Sequence, residues 1–185
     1  MPPDATTGAI PTPTLADFTS VGMIVPALQS RDVAGVIQEL AMVMQREGRV
    51  PDLLPFYHAA LNREFLVSTG MEAGMAFPHA RLPGLKDLSF AFGRSPIPLP
   101  WGGGSTRSVK LVFLIAVPAT EATQQFLLLG GLARLSTADQ LLEKLLSASD
   151  SAQIFGLFRQ VSLRTVGKSS SLVSSPSTST GAVAF

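Results

Sequence analysis

The chain has 185 residues, of which 46% are hydrophobic and 15% are charged, and its formal net charge is +1. This length is typical of one domain, and the apolar content is sufficient for a packed core. The scattered basic residues offer no basic face to a nucleic acid, and the lack of cysteine excludes disulfides, thiolate nucleophiles and cysteine-based zinc sites.

The N-terminal stretch, residues 1–14, is rich in proline and threonine, and we expect it to be disordered. It lacks the basic and then apolar regions of a secretory signal. The first regular element is predicted to be a helix, because apolar residues recur at helical spacing over residues 33–44. Ser30 or Asp32 can cap its start, and Gly48 suits its C-terminal end.

A second helix is predicted to follow directly. Asp52 can act as its N-cap, and Pro55 is tolerated in the first turn. Leu54, Tyr57 and Leu61 would then share one face of this helix.

Two strands are predicted in the middle of the chain. Leu88, Phe90 and Phe92 alternate with small or polar residues, as in a half-buried strand. Residues 109–117, VKLVFLIAV, form a nearly continuous apolar run, which is typical of a central strand covered on both faces. The segment between them, residues 95–106, is rich in proline and glycine and is predicted to be a loop.

Three more helices are predicted, over residues 123–135, 137–148 and 150–160. Ser136 and Asp139 give a capping-box pattern at the second of them. The order of elements predicts an α/β fold, in which helices cover both faces of a small mixed β-sheet.

The predicted domain covers residues 15–161. Residues 162–185 form a Ser/Thr-rich tail that we expect to be disordered, because it has too little apolar surface to offset its ordering entropy. The longest apolar runs, residues 111–117 and 126–129, are much shorter than the roughly 20 residues of a membrane helix. We therefore expect a cytoplasmic protein without membrane insertion.

The stretch that carries the chemistry is residues 63–80, REFLVSTGMEAGMAFPHA. Pro78 fixes its own φ and pushes Phe77 into an extended conformation, which would present His79 rigidly at the end of a short strand. An imidazole is largely neutral at cellular pH, and it then has a lone pair with which to accept a phosphoryl group.

Further residues of this stretch suit an anion. Gly70 and Gly74 allow close approach of the backbone, so that amide N–H groups can face a phosphate. Ser68 and Thr69 offer hydroxyl donors, and Arg63 offers a planar fork that matches phosphoryl oxygens. The sequence therefore predicts an anion site built around an imidazole.

The motifs Arg63-Glu64, Ser68-Thr69-Gly70 and GMAFPHA (residues 74–80) resemble the phosphorylation-site signature of the fructose/mannitol-type enzyme IIA domain of the bacterial sugar phosphotransferase system, which includes the nitrogen-regulatory IIA proteins. The similarity continues through LVFLIAVP and LLLGGLARL and covers roughly residues 15–158. The resemblance implies a three-layer α/β sandwich. It also implies that His79 takes phosphate from the phosphocarrier HPr, or from its nitrogen-branch counterpart, beside Arg63.

Two positions depart from the family pattern. Glu72 stands where the family usually has glycine, and its carboxylate would repel a phosphoryl group unless it points to solvent. Many members carry a second active-site histidine after the AVP strand, and counting back from LARL places Gln125 at that position. Glutamine can donate a hydrogen bond to phosphate but cannot become cationic.

Other candidate groups have simpler interpretations. Glu64 is interpreted as a structural partner inside the site, and His58 as a residue of a helix surface or core edge. The segment WGGGST, residues 101–106, lacks the Lys-Ser/Thr ending of a P-loop. With two histidines and no cysteine, we expect no dedicated metal site and no cofactor.

The leading hypothesis is a phosphocarrier that accepts phosphate from an HPr-like protein and passes it to a IIB partner or uses it as a regulatory signal. The alternative is a regulatory protein-binding module of the same fold that is not phosphorylated. The chain carries no transporter segment and no cysteine of the kind on which IIB domains of this system carry phosphate. We therefore expect the IIB component or the regulatory target to be a separate protein.

Overall fold

The computed structural model describes residues 12–102, 107–120 and 122–163. Most of the disorder predicted for residues 1–14 and 162–185 therefore lies outside the described residues, whereas Thr14, Ser162 and Leu163 are ordered, contrary to that prediction. Two short 3-10 turns, Leu15–Phe18 and Val21–Met23, precede the first strand. The strands are β1 (Ile24–Val25), β2 (Met75–Ala76), β3 (His79–Leu82), β4 (Ser89–Trp101) and β5 (Arg107–Pro118). The helices are α1 (Val33–Arg46), α2 (Leu53–Leu66), α3 (Ala122–Ser136), α4 (Asp139–Ser147) and α5 (Ser151–Phe158).

The strands form one mixed sheet in the order β1-β4-β5-β2, and β3 also pairs with β5. β4 is antiparallel to β5, whereas the other pairings are parallel. β2 and β3 follow one another along β5, with Met75 opposite Leu111 and His79 opposite Ile115. Pro78 lies in the gap between them, where its lack of an N–H group interrupts the ladder.

Helices cover both faces of the sheet. α1 and α2 pack on one face, against Val112 and Leu114 of β5. The first 3-10 turn and α3, α4 and α5 pack on the other face, where Phe90, Phe92 and Phe113 form an aromatic cluster. Successive residues of β5 are therefore buried in opposite layers, as the period of a strand requires. The predicted three-layer α/β architecture and the buried central strand are confirmed.

α1 begins and ends where the sequence indicates. The carboxylate of Asp32 caps the helix by accepting a hydrogen bond from the N–H of Gly35 at 2.8 Å. Gly48 lies just beyond the C-terminus with a φ of +70°, a conformation that favours glycine. Asp52 is the N-cap residue of α2, although its side chain makes no capping hydrogen bond.

The buried face of α2 differs from the predicted one. Leu54 is exposed, and Tyr57 and Leu61 are only partly buried. The fully buried side chains of this helix are those of Phe56, Ala60 and Glu64. A carboxylate can occupy this face because it finds hydrogen-bond donors there.

β4 is longer and more buried than the sequence suggests. Its first half is buried on both faces rather than one, because helices cover both sides of the sheet. The strand continues through residues 95–101, which we predicted to be a loop. Its pairing with β5 becomes irregular after Arg94, where Pro96 and Pro98 have no N–H to donate. Residues 103–106 of the predicted loop lie outside the described residues.

The three predicted C-terminal helices form, but the predicted capping box does not. The hydroxyl of Ser136 donates to the carbonyl of Ala133 within α3, and the N-cap of α4 is Ala138. α5 is capped by Asp150, whose carboxylate accepts a hydrogen bond from the N–H of Gln153 at 2.8 Å. This bond is the main cause that lowers the pKa of the Asp150 carboxyl.

The two ends of the described chain lie side by side. Thr14 and Ser162 form an antiparallel bridge, and the N–H of Leu163 donates to the carbonyl of Pro13 at 2.6 Å. The side chain of Leu163 is buried in the core of the second helical layer. The packed chain therefore extends slightly beyond residues 15–161 at both ends.

Candidate active site

His79 opens strand β3, whereas the sequence placed it at the end of a strand. The break in the ladder comes just before it, at Phe77 and Pro78. The carbonyl of Pro78 accepts a hydrogen bond from the N–H of Ile115 at 2.9 Å, so the backbone on both sides of the break is held to β5. The backbone that carries the imidazole is thus paired with one strand on both sides of the break.

The ring of His79 is half-buried, and one of its nitrogens has a defined partner. Nδ1 lies 3.1 Å from the carbonyl oxygen of Phe77. Because a carbonyl can only accept, a hydrogen bond at this distance requires the proton on Nδ1. The neutral ring then keeps its lone pair on Nε2, and this nitrogen can act as a nucleophile.

A buried carboxylate organises the backbone below the histidine. Glu64 is 4% exposed and accepts three hydrogen bonds. They come from Nε1 of Trp101 at 2.8 Å, from the N–H of Thr69 at 2.8 Å and from the hydroxyl of Thr69 at 2.5 Å. These donors account for the burial of a charged side chain, and they support the structural interpretation of Glu64.

Thr69 connects this carboxylate to the histidine segment. Its hydroxyl donates to Glu64 and accepts a hydrogen bond from the N–H of Phe77 at 3.1 Å. Phe77 in turn holds His79 through its carbonyl. Both the N–H and the O–H of Thr69 are directed at Glu64, so in this geometry Thr69 positions the backbone instead of offering donors to an anion, as the sequence suggested.

The two glycines of the predicted anion site have conformational and packing roles. A Cβ at Gly70 would lie 2.9 Å from Cδ1 of Trp101, which is too close for a side chain. Gly74 has a φ of +73°, and its N–H donates to the carbonyl of Met71 at 3.1 Å to close a turn. The hydroxyl of Ser68 accepts from the N–H of Gly70 at 3.3 Å. Glu72 is exposed in the Met71–Gly74 turn.

Arg63 lies in the last turn of α2, next to Glu64. Its guanidinium donates to the carbonyl of Val67 at 3.0 Å and so caps the C-terminus of its own helix. The hydrogen bonds found among the described residues do not join Arg63 to His79. The predicted pairing of this arginine with the imidazole therefore stays a prediction.

Gln125 lies in the first turn of α3 and is linked to the histidine strand by an arginine that the sequence analysis missed. Its Oε1 accepts a hydrogen bond from Nη2 of Arg81. Nη1 of the same guanidinium donates to the carbonyl of Ala119 at 3.1 Å. The signal available in the sequence was the spacing, because residues two apart on a strand share a face and Arg81 follows His79 by two.

Exposed apolar side chains lie close in sequence to the residues of the site. Phe65 and Leu66, at the end of α2, are 70% and 80% exposed, and Val67 and Met71 follow them. Phe126, next to Gln125 on α3, is 74% exposed. We call these five side chains the apolar rim. Large exposed apolar groups are candidates for a surface that contacts another macromolecule.

The remaining candidates lie outside this arrangement. His58 is exposed on α2, where its ring is 5.4 Å from that of Tyr57, in agreement with its assignment to the helix surface. Among the described residues there is no group of three or more His, Cys, Asp and Glu side chains that could hold a metal ion. The helices in the described ranges are all too short or too polar to cross a membrane.

Comparison with known proteins gives a consistent family. The sequence profile of the family described as "Phosphoenolpyruvate-dependent sugar phosphotransferase system, EIIA 2" matches residues 17–161. The fructose-specific EIIABC component of Bacillus subtilis is 32% identical over 136 residues, which are 72% of this chain but only 21% of that much longer protein. A nitrogen regulatory protein of Bradyrhizobium diazoefficiens is 28% identical over 148 residues, covering 77% of this chain and 93% of the relative.

Solved structures show the same fold. Nitrogen regulatory protein IIA-Ntr from Neisseria meningitidis superimposes with a TM-score of 0.65 at 24% identity, over 78% of this chain and 98% of the other. Enzyme IIAMTL of Escherichia coli, in its complex with phosphorylated enzyme IIBMTL, superimposes with a TM-score of 0.64 at 17% identity, over 76% and 96% of the two chains.

Proposed function

The chain belongs to the EIIA 2 family of the phosphoenolpyruvate-dependent sugar phosphotransferase system, and we propose that it is a phosphocarrier in which Nε2 of His79 accepts the phosphoryl group. The observation that supports this assignment is the contact between Nδ1 of His79 and the carbonyl of Phe77. It commits the proton to Nδ1 and leaves the nucleophilic lone pair on the other nitrogen.

In the transfer step, the Nε2 lone pair attacks phosphorus on a phosphorylated HPr-like carrier. The bond between phosphorus and the donor atom breaks, and its electron pair stays on the donor, while a new N–P bond forms on His79. The same step in reverse, with a IIB component as acceptor, returns the imidazole to its neutral form. Because the carbonyl of Phe77 fixes the ring, the nucleophile is oriented before the carrier arrives.

We propose that the apolar rim is the surface on which these protein partners dock. It lies on the end of α2 and the start of α3, which supply Glu64 and Gln125 to the site. The related enzyme IIAMTL is found in a complex with phosphorylated IIBMTL, and the Bradyrhizobium relative is a nitrogen regulatory protein. The acceptor of this chain is thus a IIB component or a regulatory target, and exchange with such partners is expected in the cytoplasm.

The test is incubation with phosphoenolpyruvate, enzyme I and HPr, followed by intact mass. We expect the mass of one added phosphoryl group, in a linkage that is labile in acid and stable in base. His79→Ala should abolish the addition, whereas the matched control His58→Ala, on the exposed face of α2, should keep it. Label that persists in His79→Ala would exclude this histidine, and an unlabelled wild type would favour a protein-binding module that is not phosphorylated.

A further inference from the structure

We propose that Arg81 supplies the positive charge that stabilises the phosphoryl group on His79, and that Gln125 holds its guanidinium in place for that purpose. This inference rests on the proposed function of His79. It assigns to Arg81 and Gln125 together the task that the resemblance assigns to a second histidine.

His79 and Arg81 lie on the same face of strand β3. Ala80 is buried in the core formed by α1 and α2, so His79 and Arg81 lie on the opposite face of β3, toward the layer that contains α3. The hydrogen bond between Arg81 and Gln125 of α3 agrees with this placement. Arg63, by contrast, belongs to α2, which packs in the first layer.

The side chain of Arg81 is long enough to reach a phosphoryl group on His79. Residues two apart on a strand are about 7 Å apart, a distance that an arginine side chain spans easily. Both residues are held in register by β5, His79 opposite Ile115 and Arg81 opposite Val117. A phosphoryl group on Nε2 would extend from the imidazole into the space on this face. A guanidinium anchored on the same short strand can meet it without a movement of the backbone.

The charge of Arg81 suits a phosphoryl group. The guanidinium of Arg81 at present donates to the amide oxygen of Gln125 and to the backbone carbonyls of Pro118 and Ala119, all of which are neutral. The ion pairs found in the described ranges, Arg46–Glu47 and Arg49–Asp87, do not involve it. Among the described residues, no carboxylate is therefore paired with this guanidinium. A phosphoryl group carries about −1.5 to −2 charges near neutral pH and accepts the bidentate geometry of a guanidinium.

Gln125 fits this arrangement better than the histidine of other family members would. An amide oxygen accepts from the guanidinium and adds no charge, whereas an imidazolium would repel Arg81 at short range. The glutamine therefore orders a flexible side chain and leaves its charge for the phosphoryl group. In this chain Gln125 is a positioning residue and Arg81 is the residue that contacts the phosphoryl group.

The experiment measures the equilibrium constant for phosphoryl transfer from phosphorylated HPr to the full chain. A charge-assisted hydrogen bond is worth about 1.5–3 kcal/mol, so Arg81→Gln should lower the constant about ten- to a hundredfold. Arg81→Lys keeps the charge without the fork and should lose no more than about threefold. Arg159→Gln is the matched control, because this arginine lies over the ring of Phe155 beyond the end of α5, and we expect no change.

Gln125→Ala should reduce the constant about two- to fivefold in the wild-type background and have no effect in Arg81→Gln, because the glutamine acts through the arginine. If Gln125 had a purely structural role, the losses caused by Gln125→Ala and Arg81→Gln would add in the double variant. If Arg81→Gln folds poorly by circular dichroism, Arg81→Lys decides, and a loss of about tenfold or more in this charge-keeping variant would overturn the inference.

Two failures are distinguishable. If the wild type accepts phosphate and Arg81→Gln transfers with an unchanged constant, the inference is wrong and the proposed function stands. If the wild type accepts no phosphate from any carrier, the proposed function fails, and this inference fails with it.

Discussion

Replacing Glu64 tests whether one buried carboxylate holds the site together. In Glu64→Ala, three hydrogen bonds lose their acceptor, one from the indole of Trp101 and two from Thr69. Each orphaned buried donor costs about 1–3 kcal/mol, and part of that cost is offset because a buried charge is removed as well. We expect the free energy of unfolding to fall by about 3–5 kcal/mol.

Glu64→Gln should have a smaller effect. The amide oxygen can replace Oε1, which accepts from Trp101 and from the N–H of Thr69. The amide NH₂ would replace Oε2, so the hydroxyl of Thr69 would lose its acceptor. One lost charge-assisted bond corresponds to about 1–3 kcal/mol.

The assay is urea unfolding followed by circular dichroism and by the fluorescence of Trp101, the one tryptophan of the chain. Phosphorylation should slow in parallel with the loss of stability, because Thr69 would no longer hold the N–H of Phe77. Glu72→Ala is the matched control, since this carboxylate is exposed, and it should change stability by less than about 0.5 kcal/mol. A loss of less than about 1 kcal/mol in Glu64→Ala would refute the reasoning.

Three further predictions concern the rest of the domain. Asp150→Asn keeps a good N-cap but removes a carboxyl whose pKa is lowered in the fold. The stability advantage of the wild type over this variant should therefore be complete above the ordinary pKa of 3.8 and disappear as the pH falls through the lowered pKa. Unfolding at a series of pH values would show this dependence. Removal of residues 167–185 should leave the melting temperature unchanged, whereas a chain that ends at residue 160 loses two buried side chains and should be less stable by about 3 kcal/mol or more. Gly131→Ala would place a Cβ 2.1 Å from Cδ2 of Leu163 and should lower the free energy of unfolding by about 1–3 kcal/mol. Denaturant unfolding should show that most of this loss vanishes when the same substitution is made in the Leu163→Ala background.

The parts of the fold that the sequence predicted well are those in which local pattern and tertiary environment agree. The apolar run of β5 has the composition of a strand buried on both faces, and it is one. α1 carries Asp32 at its start and Gly48 at its end, and both act as the sequence indicates. In α2, helical spacing alone does not determine which face is buried. Leu54 and Phe56 both suit a core, and only the position of the sheet decides between them.

The sequence identified the segment of the site but not its internal roles. The motif indicates that Ser68, Thr69 and Gly70 bind an anion. In the structure, Thr69 is instead hydrogen-bonded to both Glu64 and Phe77 and connects them. This role depends on Trp101, which comes from the far end of β4 and has no fixed spacing from the motif.

Arg81 was missed for a similar reason. Its partner Gln125 is 44 residues away along the chain and meets it only because α3 packs on the face that β3 presents.

The adjacency of the two ends of the described chain has a consequence for how such a domain can be built into larger proteins. Thr14 and Ser162 run antiparallel, so a polypeptide that enters the domain at its first packed residue leaves it close to the same point. A unit of this kind can be fused to either end of another protein, or inserted into one of its surface loops, without forcing the flanking segments apart. The same closeness suits circular permutation, because a short peptide can join Leu163 to Pro13, whose backbones are already hydrogen-bonded.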